Sequence, residues 1–437
     1  GHDVDSRESV EKMLVVDFLV ANFDRHWSNF GVLIDTETRQ WLRVAPIFDT
    51  GESLWCDRET REAFGGYKMP KQGMNRPFSR DLDSQVERFC GNLKWYDPNR
   101  LAGFCDFALS QFDVGETLQY FASLGLLTVS EASGRIYPMS NMAGSVLDVL
   151  RYALERPEID LQTGQTVTAV RKMPEGFSVK TETDTFSARC LILAAGGAAG
   201  SKVGGGMDGY RLAKSLGHHR TALYPSLVQL KTDPTYPRAL KGVKAQCGIS
   251  ICRGSQVLAR NSGEVLFTEY GVSGPAIFDL SRSVSAGGSD LTCLLNFFPD
   301  WEEAEVLHWL SQRQAAMATH EASTLLTGSC HTRLGQMICK SAGFTNQRAA
   351  GLTRDDLRRI AGQATHFALP ITGTCGFDQA QVTAGGLDTS EFDPRTLQSR
   401  LVPGLYACVE LLDIDGDCGG YNLQWAWSSG RLAGKLL

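Results

Sequence analysis

No stretch of this 437-residue chain approaches the roughly 20 consecutive apolar residues that a membrane-crossing helix needs. The opening residues, GHDVDSRESVEK, are a charged mixture in place of the apolar core of a secretion signal. These two absences predict a soluble, cytoplasmic protein. The 12 cysteines include no CxxC pair, the usual spacing for zinc or a dithiol redox centre, and so read as reduced thiols. Among the 8 histidines there is no HExxH, so a catalytic metal held by histidine is not supported. Excess positive charge is missing as well. With 43 Lys+Arg against 49 Asp+Glu the net charge is −6, and the cations are dispersed, so neither nucleic acid nor a membrane is an expected partner. The opening residues also lack the strand, GxGxxG turn and helix that seat a dinucleotide pyrophosphate.

What stands at the front is different chemistry. Val10, Met13, Leu14, Phe18 and Ala21 fall at helical spacing and run into Asn22-Phe23-Asp24-Arg25-His26-Trp27-Ser28-Asn29. Two strand-like pieces, GVLID and WLRVAPIF, then lead to Asp49-Thr50-Gly51. An Asp five positions before an Asn on one loop, followed by Asp-x-Gly after a short hairpin, is how protein kinases place a base and two magnesium ligands. The plainer reading makes Asp24 and Asn29 turn formers. Residues from Val10 to about Phe107, ending in QVERFCGNLKWYDPNRLAGF, resemble the C-terminal lobe of a HipA-like serine/threonine kinase. The resemblance implies Asp24 as catalytic base and Asn29 and Asp49 as magnesium ligands in a mostly helical fragment, residues 1–107. The phosphate-covering loop and its lysine are not found ahead of it, so no kinase activity is expected. Autophosphorylation that disappears in Asp24→Asn would overturn that expectation.

From about Ser110 the sequence changes character. LSQFDVGETLQYFASLGLL reads as helix and turn, and Asp148 to Leu154 completes a further helix. DLQTGQTVTAV and GFSVKTETDTFSARCLILAAGG alternate as strands, the second ending on Ala195-Gly196-Gly197. GGGMDG at 204–209 formally satisfies GxGxxG, but no βαβ unit surrounds it. Asp208 is therefore open to two readings, a cap on the following helix or, with Gly209, a cofactor contact. Residues 216–374 read as an inserted substrate domain, β-rich at first and helical over about 300–365, before the chain returns at 375–437. Cys247 and Cys252, in CGISIC, alternate as strand residues.

Four strings, GRIYPMSNMA, LFTEYGVSGPAIF, AQVTAGGL and DIDGDCGGYNLQWAWSSG, make residues 110–437 resemble the BaiN-like, or aminoacetone oxidase family, FAD-binding flavoproteins. The resemblance implies a two-dinucleotide-type α/β FAD domain in two parts, 110–215 and 375–437, within an α/β and α+β multidomain chain. It also implies FAD, NAD(P)H as reductant, and reduction of an enone in a small steroid-like or bile-acid-like substrate. It places Val167 beside the adenine and Ala195, Gly196 and Gly197 against the dinucleotide. Glu410 is placed on a ribityl hydroxyl, and Asp415, Gly416, Gly419, Gly420, Tyr421, Asn422 and Leu423 around the flavin. A helix starting near Asn422 would aim its positive end at the N1 and O2 edge of the ring. Glu269 and Tyr270, before Ser273-Gly274-Pro275, are candidate acids; the plainer reading makes them exposed loop residues without a role.

The chain departs from the family pattern at Val409, where glycine is expected before the glutamate, at Met207, and at Ser201-Lys202. With the first βαβ unit not found, weak FAD binding is expected, as is a fusion of two truncated proteins.

Overall fold

The computed structural model describes residues 32–34, 41–44, 98–131 and 134–436. It divides into two compact units, residues 1–102 and 103–437. In the first, β1 (Val32–Ile34) and β2 (Trp41–Val44) pair antiparallel, with a register irregularity at Leu33/Ile34. Asp24, Asn29 and Asp49 lie outside the described residues.

The division falls inside α1 (Pro98–Gln111). Asp113 starts α2 (Val114–Ser123) with a reciprocal capping box: its carboxylate accepts from Glu116 N at 2.8 Å while the Glu116 carboxylate accepts from Asp113 N. The hairpin of β3 (Thr128–Ser130) and β4 (Ile136–Pro138) follows, and then α3 (Ala143–Ala153). An antiparallel meander, β5 (Val167–Met173), β6 (Gly176–Thr181) and β7 (Thr185–Ala188), leads to β8 (Leu191–Leu193). Next comes α4 (Asp208–Ser215).

The residues expected to be a β-rich insertion close into a barrel. After β9 (Tyr224–Ser226), its strands are β10 (Leu230–Thr232), β11 (Lys244–Arg253), β12 (Gln256–Phe267), β13 (Gly271–Ser273), β14 (Leu291–Asn296) and β15 (Phe367–Thr374). The order around the barrel is β10-β13-β12-β11-β14-β15. Alternation explains the inward face. Cys247, Ile249 and Ile251 on β11, and Leu291, Cys293 and Leu295 on β14, are buried every second residue. Closure leaves no strand of the barrel with an unpaired edge. Cys252, past a register shift at Ile251/Cys252, is buried too, and both CGISIC thiols are free.

α5 (Pro275–Gly287) lies on the barrel and buries Ala276, Ile277, Leu280 and Val284. Proline at its first position has no N–H to leave unpaired. Gly274 before it sits at φ +116°, where an added Cβ would come within 2.5 Å of the Glu264 carbonyl oxygen. α6 (Glu303–Ala316), α7 (Thr332–Ser341) and α8 (Arg354–Thr365) extend the same core through Leu310, Ile338 and Ile360.

The chain then returns. β16 (Val382–Ala384) pairs antiparallel with β9, and β17 (Leu405–Ala407) pairs parallel with β8. α9 (Tyr421–Ala433) closes the fold by burying Trp425, Leu432 and Ala433. Its Gln424 and Ser428 side chains both donate to the Phe112 carbonyl, at 2.9 and 2.6 Å, fixing it to the end of α1. Among the described residues no helix is long and apolar enough to cross a membrane.

One local expectation is corrected. Asp208 does not cap α4: the N-cap is Met207, without a side-chain hydrogen bond, and Asp208 is the first helical residue. Its carboxylate pairs with Arg211 one turn on, at 3.2 Å, which holds it on the helix surface.

Candidate flavin site

β8 and β17 run parallel, so their C-terminal ends open onto one edge, where ligands of open α/β sheets bind. β8 delivers Ala194, Ala195, Gly196 and Gly197; β17 delivers Val409, Glu410 and the turn before α9. Ala194 and Ala195 are exposed. Gly196 has φ +69° and open space where a side chain would begin, so the backbone is accessible at close range.

Gly197 is buried for another reason. A Cβ there would lie 2.3 Å from Glu410 Oε1 and 2.5 Å from Thr383 Oγ1. Thr383 N donates to Glu410 Oε1 at 2.7 Å, and Ala199 N donates to Thr383 Oγ1 at 2.9 Å. Burial pushes the Glu410 carboxyl above its usual range, and the hydrogen bonds from Thr383 act against that shift. Nearby Tyr210 has a buried hydroxyl with no hydrogen-bond partner. Its pKa is raised by burial first and by the Glu410 charge second. A buried phenol left without a partner beside a carboxylate is a place where a ligand hydroxyl would repay its desolvation.

Gly209 is buried on α4, where a Cβ would meet Leu411 Cδ1 at 2.8 Å and Ala195 Cβ at 2.9 Å. Its position therefore serves close packing of α4 on both strand ends. Val167 starts β5, and its carbonyl accepts from Arg211 Nη2 at 3.4 Å.

The N-terminal end of α9 is open. Gly420, at φ +97°, is the N-cap; no side chain caps the helix, and Gly419, Gly420, Tyr421 and Leu423 are exposed. The first N–H groups of a helix have no intrahelical acceptor and carry its positive end. Two expected contact residues are otherwise engaged. Asn422 closes the turn on itself, accepting from Gly416 N at 2.8 Å and donating to Gly416 O at 2.8 Å. Asp415, with a side chain only 6% exposed, accepts from Arg282 Nη1 at 2.6 Å. Burial outweighs that cation and lifts the Asp415 carboxyl to about 6.

Val409 stands at φ +58°, a left-handed conformation that is costly for a β-branched residue. It is held there by α9: Val409 N donates to Ser429 Oγ at 3.0 Å, and Trp425 Nε1 donates to Val409 O at 3.1 Å. The glycine expected at this position therefore has a backbone reason. Val409→Gly is expected to raise stability by about 1 kcal/mol, the relief of strain exceeding the added chain entropy. Chemical denaturation checks it, and a loss of 1 kcal/mol or more would mean that Val409 side-chain packing dominates.

Glu269 and Tyr270 line an open cavity of about 580 Å³ on the barrel, with Lys231, Arg238 and Lys241. Glu269 pairs with Lys241 at 2.7 Å, which lowers its pKa, so it is a poor proton donor. Among the described residues no cluster of His, Cys, Asp and Glu could hold a metal. Sequence reasoning passed over Tyr210, Thr383, Asp279 and Arg282. The spacing of Asp279 and Arg282, three apart on one helix, was the available signal.

Comparison with known proteins places the chain in a family. A family model described as "HI0933-like protein Rossmann domain" matches residues 93–436. The chain is 38% identical over 339 residues to the 3-dehydro-bile acid delta(4,6)-reductase of Clostridium scindens, covering 76% of this chain and 82% of that protein. It is 26% identical to the ribosomal RNA dihydrouridine synthase of Escherichia coli and 24% identical to that of Haemophilus influenzae, each over 75% of this chain and 80% of the relative. The expected resemblance over 110–437 thus has its counterpart in a match that begins at residue 93. The chain belongs to the HI0933-like family of oxidoreductases, mixed α/β proteins with a Rossmann domain.

Proposed function

We propose that this chain is a flavin-dependent reductase of a carbon–carbon double bond conjugated to a carbonyl, with an unsaturated 3-oxo steroid acid as its substrate class. The observation that carries the reading is the uncapped N-terminus of α9, preceded by the exposed Gly419 and Gly420, on the segment that follows β17, whose parallel partner β8 leads to the open Gly196. The unpartnered Tyr210 hydroxyl beside Glu410 fits the same cofactor, as a donor to a sugar-chain hydroxyl. A bound flavin, FAD by family resemblance and reduced by NAD(P)H, would supply the hydride.

The protein's own groups then have defined tasks. The first-turn N–H groups of α9 stabilise negative charge placed against them. Glu410, anchored by Thr383 N, would accept from a hydroxyl of the bound group. The 38% identity to a reductase of a delta(4,6) bile acid supports the substrate class. Purified protein should show a flavin absorbance spectrum, and anaerobic NAD(P)H should bleach it until an unsaturated 3-oxo steroid acid restores it. Protein that binds flavin and leaves the steroid unreduced would refute the substrate class; protein that binds no flavin would refute the reading as a whole.

A second reading, reduction of a uracil in RNA, involves the same type of conjugated double bond. It is favoured by the two relatives named as ribosomal RNA dihydrouridine synthases and by the Lys231, Arg238 and Lys241 lining of the barrel cavity, which suits phosphate. Appearance of dihydrouridine in a supplied ribosomal RNA would select it over the steroid.

We further propose that flavin is retained weakly. Among the described residues the parallel sheet beneath the site has two strands, and Val409 is strained beside it. Flavin that stays bound in a one-to-one ratio through gel filtration would contradict this. The kinase assignment of Asp24, Asn29 and Asp49 is supported by spacing alone, and a magnesium–ATP titration tests it.

A further inference from the structure

We propose that helix α5 of the inserted domain, through Asp279 and Arg282, positions the 415–420 turn at the flavin site. The two residues are three apart and so share one face of the helix. That face is not the one carrying Ile277, Leu280 and Val284 into the barrel core.

Each side chain reaches a different point of the turn. Asp279 Oδ1 accepts from Cys418 N at 2.8 Å. Its other oxygen accepts from Asn261 Nδ2 at 3.4 Å, and the same amide donates to Ala276 O at 3.1 Å, so Asp279 is tied to strand β12 of the barrel. Arg282 Nη1 donates to Asp415 Oδ1 at 2.6 Å. From the opposite end, Asn422 of α9 grips Gly416 through two hydrogen bonds of 2.8 Å.

The turn is thereby held at Asp415, Gly416 and Cys418, directly before the exposed Gly419 and Gly420. Gly419, at φ +156°, and Gly420, at φ +97°, have backbones that would otherwise be among the freest in the chain. Bracing on both sides removes that freedom before any ligand arrives, which is how a preorganised site avoids ordering costs on binding. The inserted domain is consequently more than a substrate platform: through α5 it tethers the turn at Asp415 and at Cys418. Asp279 and Arg282 are positioning residues, acting through the turn.

The turn's importance to flavin rests on the proposed function; its bracing by α5 does not, and the experiment separates them. Amide exchange of residues 413–423 is measured on the flavin-free full chain, and FAD affinity on the same preparations. Asp279→Ala and Arg282→Met are each expected to speed exchange in the turn by about tenfold or more, since each removes a charge-assisted hydrogen bond, and to weaken FAD binding by a similar factor. Asp279→Asn keeps a carbonyl oxygen facing Cys418 N and should restore both values and the visible spectrum of the bound flavin. Leu280→Ala, on the barrel side of α5, should lower the melting temperature without a selective effect on the turn. Unchanged turn exchange in both Asp279→Ala and Arg282→Met, with melting retained, overturns the proposal. If the unmodified chain takes up no FAD, the functional reading fails, while exchange alone still decides the bracing.

Discussion

Gly386→Ala is expected to destabilise the second compact unit by about 3 kcal/mol, the upper range for forcing a methyl into a packed interior. Gly386 is buried, and a Cβ at this position would lie 2.4 Å from Leu412 C and 2.5 Å from both Leu412 O and Asp413 N. Those atoms are backbone, so a rotamer change cannot yield the space. The neighbouring chain is fixed on both sides. Thr221 N donates to Gly386 O at 2.9 Å, Leu387 N to Leu411 O at 2.9 Å, and Asp413 N to Leu387 O at 3.0 Å. Relaxation would therefore move residues 411–413, which lead into the turn before α9. Gly206 is the control, since it has nothing within 4 Å of a built Cβ and no positive φ. Urea denaturation should place Gly386→Ala well below the parent and Gly206→Ala within about 0.5 kcal/mol of it. Equal midpoints for the two variants would show that the 386–412 contact can open at little cost.

Asp415→Asn is expected to stabilise the protein at neutral pH and to make no difference in acid. The Asp415 carboxyl is lifted from its ordinary value of 3.8 to about 6, mainly by burial, with Arg282 opposing and Asp413 and Asp417 reinforcing. The folded state thus binds the proton more tightly than the unfolded chain does. Its contribution to stability is fully present below about pH 4 and is lost as pH rises through about 6, a change of about 3 kcal/mol. An amide carries no charge to desolvate, and its oxygen still accepts from Arg282, so the tether to α5 is kept. The difference in unfolding free energy between variant and parent should rise from near zero at pH 4 to its plateau above pH 6. A variant less stable than the parent at pH 7 would mean that the ion pair contributes more than burial costs.

Much of the site was legible because it is contiguous in sequence. Glycines at 416, 419 and 420 before a helical run announce a tight turn and an open helix end whatever the rest of the chain does. The alternation in KAQCGISICR likewise marked a strand, and the expectation of glycine in place of Val409 has its cause in φ +58°. The local rules failed where two weak signals competed. Asp208 has the chemistry of a cap, but Met207 takes the capping position and Asp208 turns to Arg211.

The sequence by itself determined the family, the glycine turn before the last helix and the strand character of KAQCGISICR, because motif spacing and side-chain periodicity are properties of neighbouring residues. Only the tertiary structure decided that six strands close into a barrel and that Asp415 is occupied by Arg282, 133 residues away. It also decided that Gly197 lies beneath Glu410. Such pairings depend on which surfaces the packed core leaves facing one another, and no local pattern encodes that choice.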